Sequence, residues 1–371
     1  MKTRHYFLIL FSFLFVSAGY VMKQNTKTFT SKTEIMNIST AFNTSFFIDA
    51  DRNVWACGNN SNNQLGYAKA TSQYVPVKVM ENIKNVAAGE KHSLFLKNDG
   101  TLWAVGNNEF GQLGTGNTNT QFAPVQIGSD VKKITAGRDF SFFIKNDNSL
   151  WSMGNNVFGQ LGNGDTEKQL SPVKIMNNVE SISASAAHTL ILKTDGTLWA
   201  CGNNFAYQLG EGSDKHKSTP VKIAANVIQM SAGNQFSLFL KSDRKLWGVG
   251  FDGAGQLGDN GNSTIQKPKE ILSNVKNAFA GYGHTMALKN DGTLWVAGLN
   301  DYGQLGKGNN INVGVFEKVL DNVKAICAGN YHSLVLLSDG SILSSGSNGS
   351  GQLGVGRGQS DSNKFGNVNF N

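Results

Sequence analysis

Proline and cysteine are scarce in this sequence, at five and three residues of 371. Charge is thin too: Asp, Glu, Lys and Arg make up 16%, against about a quarter in an ordinary domain. An odd cysteine count excludes a complete disulfide framework. Lys and Arg outnumber Asp and Glu by 33 to 26, yet no basic run stands out, so the clustered footprint of a nucleic-acid binder is missing. No stretch of the chain carries a helical apolar stripe. The 43 glycines argue further against long helices, since each weakens one by about 1 kcal/mol. They follow no period of three, which excludes collagen. A 40% hydrophobic fraction is ample for a packed core and excludes wholesale disorder.

The amino terminus reads as an export signal. Lys2 and Arg4 precede an apolar run from Tyr6 to Val16, and small residues follow at Ser17, Ala18 and Gly19. Residues 1–19 are therefore expected to be a signal peptide cleaved after Ala18 or Gly19, with 20–32 as a polar linker. An uncleaved anchor is the alternative, because the apolar stretch continues from Tyr6 as far as Met22. That falls short of the about 20 residues a span needs. The expectation is an exported chain: secreted, periplasmic or on the cell surface.

The remainder, residues 33–371, is one unit repeated seven times. Gln-Leu-Gly recurs at Gln64, Gln112, Gln160, Gln208, Gln256, Gln304 and Gln352, each the same distance along the chain from the last. The same step links Trp55, Trp103, Trp151, Trp199, Trp247 and Trp295, all the tryptophans of the chain, and all its prolines. Such a period means a solenoid, propeller or array. Within one unit, Ile83–Ala87, Ser93–Lys97, Thr101–Val105 and Pro124–Ile127 read as strands, and Asn98-Asp99-Gly100 is a hairpin signal between the middle two. Four short antiparallel strands per repeat make a propeller blade. The expected fold is all-β, a seven-bladed propeller. A weak fourth-strand match near Phe365–Phe370 and a first-strand match at Ile35–Ser39 suggest that one blade combines strands from both ends.

Ala88-Gly89 with His92-Ser93-Leu94, then Asp99–Trp103 with Gly106 and Asn108, Gly111–Gly114 and Pro124-Val125 together resemble the regulator of chromosome condensation repeat. The resemblance covers about residues 33–371 and implies a seven-bladed propeller. Departures are local: Asn63 and Tyr207 replace the Gly before Gln, Leu343 replaces the seventh Trp, and Ser185 replaces the turn glycine.

Comparison between copies weighs the candidate sites. The Asp of the hairpin recurs seven times, as Asp51, Asp99, Asp147, Asp195, Asp243, Asp291 and Asp339. That recurrence fits a turn bonding its own backbone better than catalysis or calcium. The Gln slot reads as a buried amide satisfying loop backbone. His92, His188, His284 and His332 share a slot with Phe140, Phe236 and Thr44, so it reads as packing rather than as a metal site. Cys57, Cys201 and Cys327 fill small-residue slots and are expected to be buried free thiols. The tryptophans read as core anchors. No nucleophile elbow, phosphate loop or paired carboxylates appear, so no catalytic residue, metal or cofactor is expected.

Three function classes follow. One is an exported, monomeric binding or scaffold module for a protein or a glycan. The resemblance implies a second, nucleotide exchange on a small GTPase, but the export signal and the uniform spacing without an inserted wedge speak against it. The third, a propeller enzyme, lacks its chemistry. Binding is expected on the rim where the Ala-Gly turns and the Gly-x-Asn loops meet, because the Asp hairpins fall on the opposite rim. Its candidate residues are Glu90, Lys91, Arg138, Asp139, Tyr282 and Tyr331 in the turns, with Phe110, Phe158, Phe205, Tyr207 and Tyr302 in the loops.

Overall fold

In the second repeat, strands Ile83–Ala88, His92–Lys97, Leu102–Gly106 and Gln121–Gly128 pair antiparallel in chain order. The middle two strands are buried on both faces, because each blade is sandwiched between neighbours, and so their sequences read as near-continuous apolar runs. Between them the Asp99 carboxylate accepts the Thr101 N–H (2.9 Å) and the Thr101 hydroxyl (2.7 Å). The Thr101 hydroxyl in turn accepts the Trp103 indole N–H at 3.0 Å. The Asp slot is thus a hairpin device, as expected. Gly106 ends the third strand at φ +109°, where a Cβ would lie 2.4 Å from the Lys91 carbonyl oxygen. Only glycine meets that close approach without strain.

Seven such sheets make the described part of the chain, a seven-bladed propeller in a computed structural model that describes residues 33–370 apart from Ala68, Ala70 and Asn262. The blades span 35–80, 83–128, 131–176, 179–224, 227–272, 275–320 and 323–367. The expected signal and linker, residues 1–32, lie outside the described residues. Among the described residues there is no helix.

The core lies between blades. Phe46, Ile48, Val54 and Leu65 of the first blade pack with Ile83, Val86, Phe95 and Val105 of the second. The tryptophans pack against these inter-blade clusters but are half-buried rather than core residues. Five of them carry a lysine over the ring, as Lys289 does 3.9 Å from Trp295. An edge position follows from the relay just described: the indole N–H must reach the exposed hairpin.

The chain ends do not share a blade. The first sheet consists wholly of strands from the amino end, and the last, ending with Ser362–Asn367, wholly of strands from the carboxy end. Each repeat already holds its inner, second, third and outer strand in order, so no strand is left over for exchange. The ring closes instead by packing and hydrogen bonds between the first and last blades. Ile35, Phe47 and Cys57 form one cluster with Leu334, Leu336 and Val368. Phe370 sets its ring edge-on to Phe47 at 5.2 Å and to Trp55 at 6.2 Å.

Phe370→Ala removes two edge-to-face contacts at the closure and should lower stability by about 1–3 kcal/mol. Calorimetry checks this against Phe122→Ala, a site 68% exposed on an outer strand. Equal midpoints for the two variants would contradict closure by the tail.

Candidate functional site

Strand register decides which loops share a rim. His92 pairs with Gly106 and Ile83 with Lys97, so the 89–91 turn and the 107–120 loop emerge together, with the Asp99 hairpin at the other end. On the loop rim the turns are joined through their backbones. Glu90 N–H donates to the Arg138 carbonyl, Arg138 to Ser185, Asn234 to Tyr282, Tyr282 to Asn330 and Asn330 to Phe42, at 3.0–3.3 Å. This collar surrounds a central channel of about 590 Å³ lined by inner strands and by Glu90, Arg138, Asn234, Tyr282 and Asn330.

All the candidate residues except Phe110 and Tyr207 fall into three groups on that rim. Glu90 and Arg138 form an ion pair, Nε to Oε2 2.5 Å, with Asp139 3.8 Å from Arg138 on the other side. Burial and the nearby Glu90 push the Asp139 carboxyl above the usual range. Lys91 is exposed beside them. Tyr331 is half-buried between Tyr282 and Tyr302, with ring centroids 5.0 Å away on each side. Burial first, and then the Tyr282 hydroxyl, push the Tyr331 hydroxyl up to about 12. Tyr282 and Tyr302 are 40% and 41% exposed. In the third group Phe158, half-buried, and Phe205, 68% exposed, flank the His216 ring at 5.0 and 4.2 Å. His216 is fixed in turn by the Asn204 N–H, which it accepts at 3.0 Å.

Phe110 is half-buried. Tyr207 is half-buried too and holds φ +61°, the left-handed conformation that Gly111, Gly159, Gly255, Gly303 and Gly351 adopt at the same slot. Such a backbone costs a bulky residue about 1–2 kcal/mol. Val157, Phe251 and Ile311 are exposed in the same loops, and none of them is among the residues expected from the sequence. The signal was present for Phe251, which replaces the Asn of Asn59, Asn107, Asn155 and Asn203.

The four histidines of the shared slot, His92, His188, His284 and His332, are fully buried, and their chemistry is spent between blades. His188 Nε2 lies 2.9 Å from the Ser237 hydroxyl of the next blade, and that hydroxyl donates to the Gln208 carbonyl at 2.7 Å. With its one proton given away, the hydroxyl accepts from His188, so Nε2 carries the hydrogen. His92 meets Ser141 (2.8 Å), His284 meets Ser333 (3.1 Å) and His332 meets Ser45 (3.0 Å). Burial pushes these imidazoles down to about 3, or about 4 for His284. They are neutral at any ordinary pH and out of reach of a substrate. Gln112 behaves as expected: its Oε1 accepts the Phe110 N–H at 2.9 Å and its amide donates to Asn107 at 2.8 Å.

Cys57 and Cys201 are buried, but Cys327 is only half-buried. Its slot lies on the inner strand facing the channel, where it accepts the Thr40 N–H at 3.3 Å. All three thiols are pushed up by burial, away from nucleophilic reactivity. Among the described residues no group of three or more His, Cys, Asp or Glu is placed to hold a metal ion.

Ser237→Ala should cost about 1–3 kcal/mol, because it strands both the His188 N–H and the Gln208 carbonyl. His188→Phe, which installs the side chain of Phe140 and Phe236, should cost less than Ser237→Ala. Denaturant unfolding of the two variants checks the order, and a reversed order would contradict the bridging role.

The RCC1-like domain model matches residues 20–271. Regulator of chromosome condensation (RCC1) repeat models match 275–304 and 323–352, and also 291–336. No curated protein matches. Among solved structures, Prp20p of Saccharomyces cerevisiae, described with its binding properties to Gsp1p and histones, is 20% identical with a TM-score of 0.78, covering 91% of this chain and 88% of that one. Yeast RCC1 (Prp20) bound to Kap60 is 20% identical over 92% of this chain and 86% of that one, with a TM-score of 0.76. Human WBSCR16 is 23% identical over 82% of this chain and 87% of that one, with a TM-score of 0.74. At these identities the likeness is one of fold. The family models span the repeats from the first blade to the last, and the chain belongs to the RCC1-like family of propellers.

Proposed function

We propose that this chain is an exported, non-catalytic binding propeller that recognises a protein partner through its loop rim. One observation carries the reading: apart from Phe122 on an outer strand, the exposed aromatic rings among the described residues lie in the turns and loops of that rim. Tyr282 and Tyr302 stand over Tyr331, and Phe205 and Phe251 continue the apolar arc. The Glu90–Arg138 pair and Lys91 supply charge across the mouth. Aromatic anchors beside Arg are the residues that dominate protein interfaces. The opposite rim offers hairpins whose Asp and Thr groups are already bonded to one another.

A protein is favoured over a small substrate because the recurrent histidines of the shared slot are buried and held neutral, while the rim offers aromatic and charged surface. Kap60, Gsp1p and histones, for which binding by the yeast relatives is described, are proteins as well. A nucleotide-exchange role draws no support from the loops, since the constant repeat length leaves no copy with an inserted wedge. Export rests on the charged and apolar pattern of residues 1–19.

The test begins with capture of a partner from the secreted or cell-surface fraction, using this chain as bait. Tyr302→Ala with Tyr331→Ala should weaken the captured partner's affinity about tenfold or more, while Asp99→Ala with Asp291→Ala on the hairpin rim leaves it unchanged. Loss with the hairpin pair alone would assign binding to the opposite rim.

A further inference from the structure

In six blades a buried asparagine opens the Gly-x-Asn loop: Asn60, Asn108, Asn156, Asn204, Asn300 and Asn348. Its Oδ1 accepts the N–H of the leucine in the following Gln-Leu-Gly, as Asn108 accepts Leu113 at 2.9 Å. Its amide N–H groups point into the loop. Asn108 donates to Thr115 Oγ1 (3.0 Å) and the Asn117 carbonyl (2.9 Å), and Asn204 to Glu211 Oε1 (3.2 Å) and the Ser213 carbonyl (2.6 Å). The slot is built around a donor.

The fifth blade has Asp252 there. Its Oδ1 keeps the leucine bond, to Leu257 N–H at 2.7 Å. Its Oδ2 stands where the amide nitrogen stands in the other six blades, is fully buried, and meets no donor. It faces Asp259, the counterpart of Thr115 and Glu211. The Asp259 carboxylate is already engaged by Gly261 N–H (2.8 Å) and Lys269 Nζ (2.9 Å). Acceptor faces acceptor.

One positive charge resolves the conflict. Lys269 balances Asp259, so a single proton on Asp252 leaves the cluster neutral and restores a donor. A divalent ion fits less well, because calcium takes six to eight oxygens and one of these two carboxylates is held by a lysine.

We propose that Asp252 is a built-in proton site: its carboxylic acid form replaces the asparagine amide, donates from Oδ2 to Asp259, and fastens the fifth-blade loop to the sixth blade. The fastening is visible where Asp259 bridges to Val315 and the Asn260 N–H donates to the Gly314 carbonyl at 2.8 Å. The charged groups facing Asp252 are Asp259 from its own loop and Lys269 from the outer strand. Burial, followed by the contact with Asp259, raises the Asp252 carboxyl to about 7, and the same contact helps lower Asp259. A carboxyl raised on folding binds more protons folded than unfolded between the two values. Its contribution to stability is therefore greatest in acid, declines as pH rises from the ordinary carboxyl range to about 7, and is flat above.

Asp252→Asn installs the residue of the other six blades and makes the donor permanent. Its advantage in thermal midpoint over the unaltered chain should be larger near pH 9 than near pH 5 by about 2–4 °C. The unaltered chain should also show a protonated-carboxyl infrared band near pH 5 that Asp252→Asn lacks. A midpoint difference that is the same at both pH values, or absence of that band, would overturn the proposal. So would a calcium-dependent rise in the midpoint of the unaltered chain that Asp252→Asn abolishes, because that would make the occupant a metal ion.

Discussion

In six of the seven blades a buried hydroxyl at the start of the second strand joins one blade to the one before it. Ser45, Ser93, Thr189, Ser237, Thr285 and Ser333 each donate to the carbonyl of a Gln in the preceding blade, at 2.6–2.8 Å. Where the preceding blade carries histidine in the shared slot, its imidazole N–H completes the hydroxyl from the other side. The bond sits among apolar side chains, where an unmade partner is costly. Everything above it follows: it fixes the Gln, the Gln amide fixes the loop, and the loop presents the rim. Inner strands add their own ties, as when the Gln229 amide takes both the N–H and the carbonyl of Ala278 (3.0 and 2.6 Å).

This use of polar chemistry bears on function. A sequence with recurrent His, Asp, Gln and Cys looks rich in reactive groups, yet the recurrent slots that hold them are occupied with architecture. What remains free is shape and surface: a collar of backbone bonds, a channel, and a rim whose residues differ from blade to blade. Fixed scaffolds with variable loops recognise partners.

The architecture was legible in the sequence because the constant repeat step multiplies every weak local signal by seven. Hairpin Asp and loop Gln were each assigned from recurrence, and their hydrogen bonds agree. Ring closure was not legible. Whether blades exchange strands depends on pairing between residues hundreds of positions apart, and Phe370 meeting Phe47 leaves no local trace. Exposure within the rim was also hidden. Phe158 and Phe205 both look like loop aromatics in sequence, but the first is half-buried and the second stands open, and the His216 ring packs between them. Asp252 broke a pattern in plain view, but its meaning needed the positions of the groups that its neighbours' amides reach.

Nuclear magnetic resonance of the imidazole nitrogens tests most directly whether these side chains are structural. Across a titration from pH 8 to about pH 5, the signals of His92, His188, His284 and His332 should stay neutral. Those of His188, His284 and His332 should also show the hydrogen on Nε2. Below that range their protonation should accompany loss of the fold, because a histidine held neutral on folding withdraws stability as pH falls from its ordinary value toward about 3–4. Reversible protonation of any of the four near pH 6.5 in the folded chain would contradict the structural assignment and return that histidine to the list of candidate acids and bases.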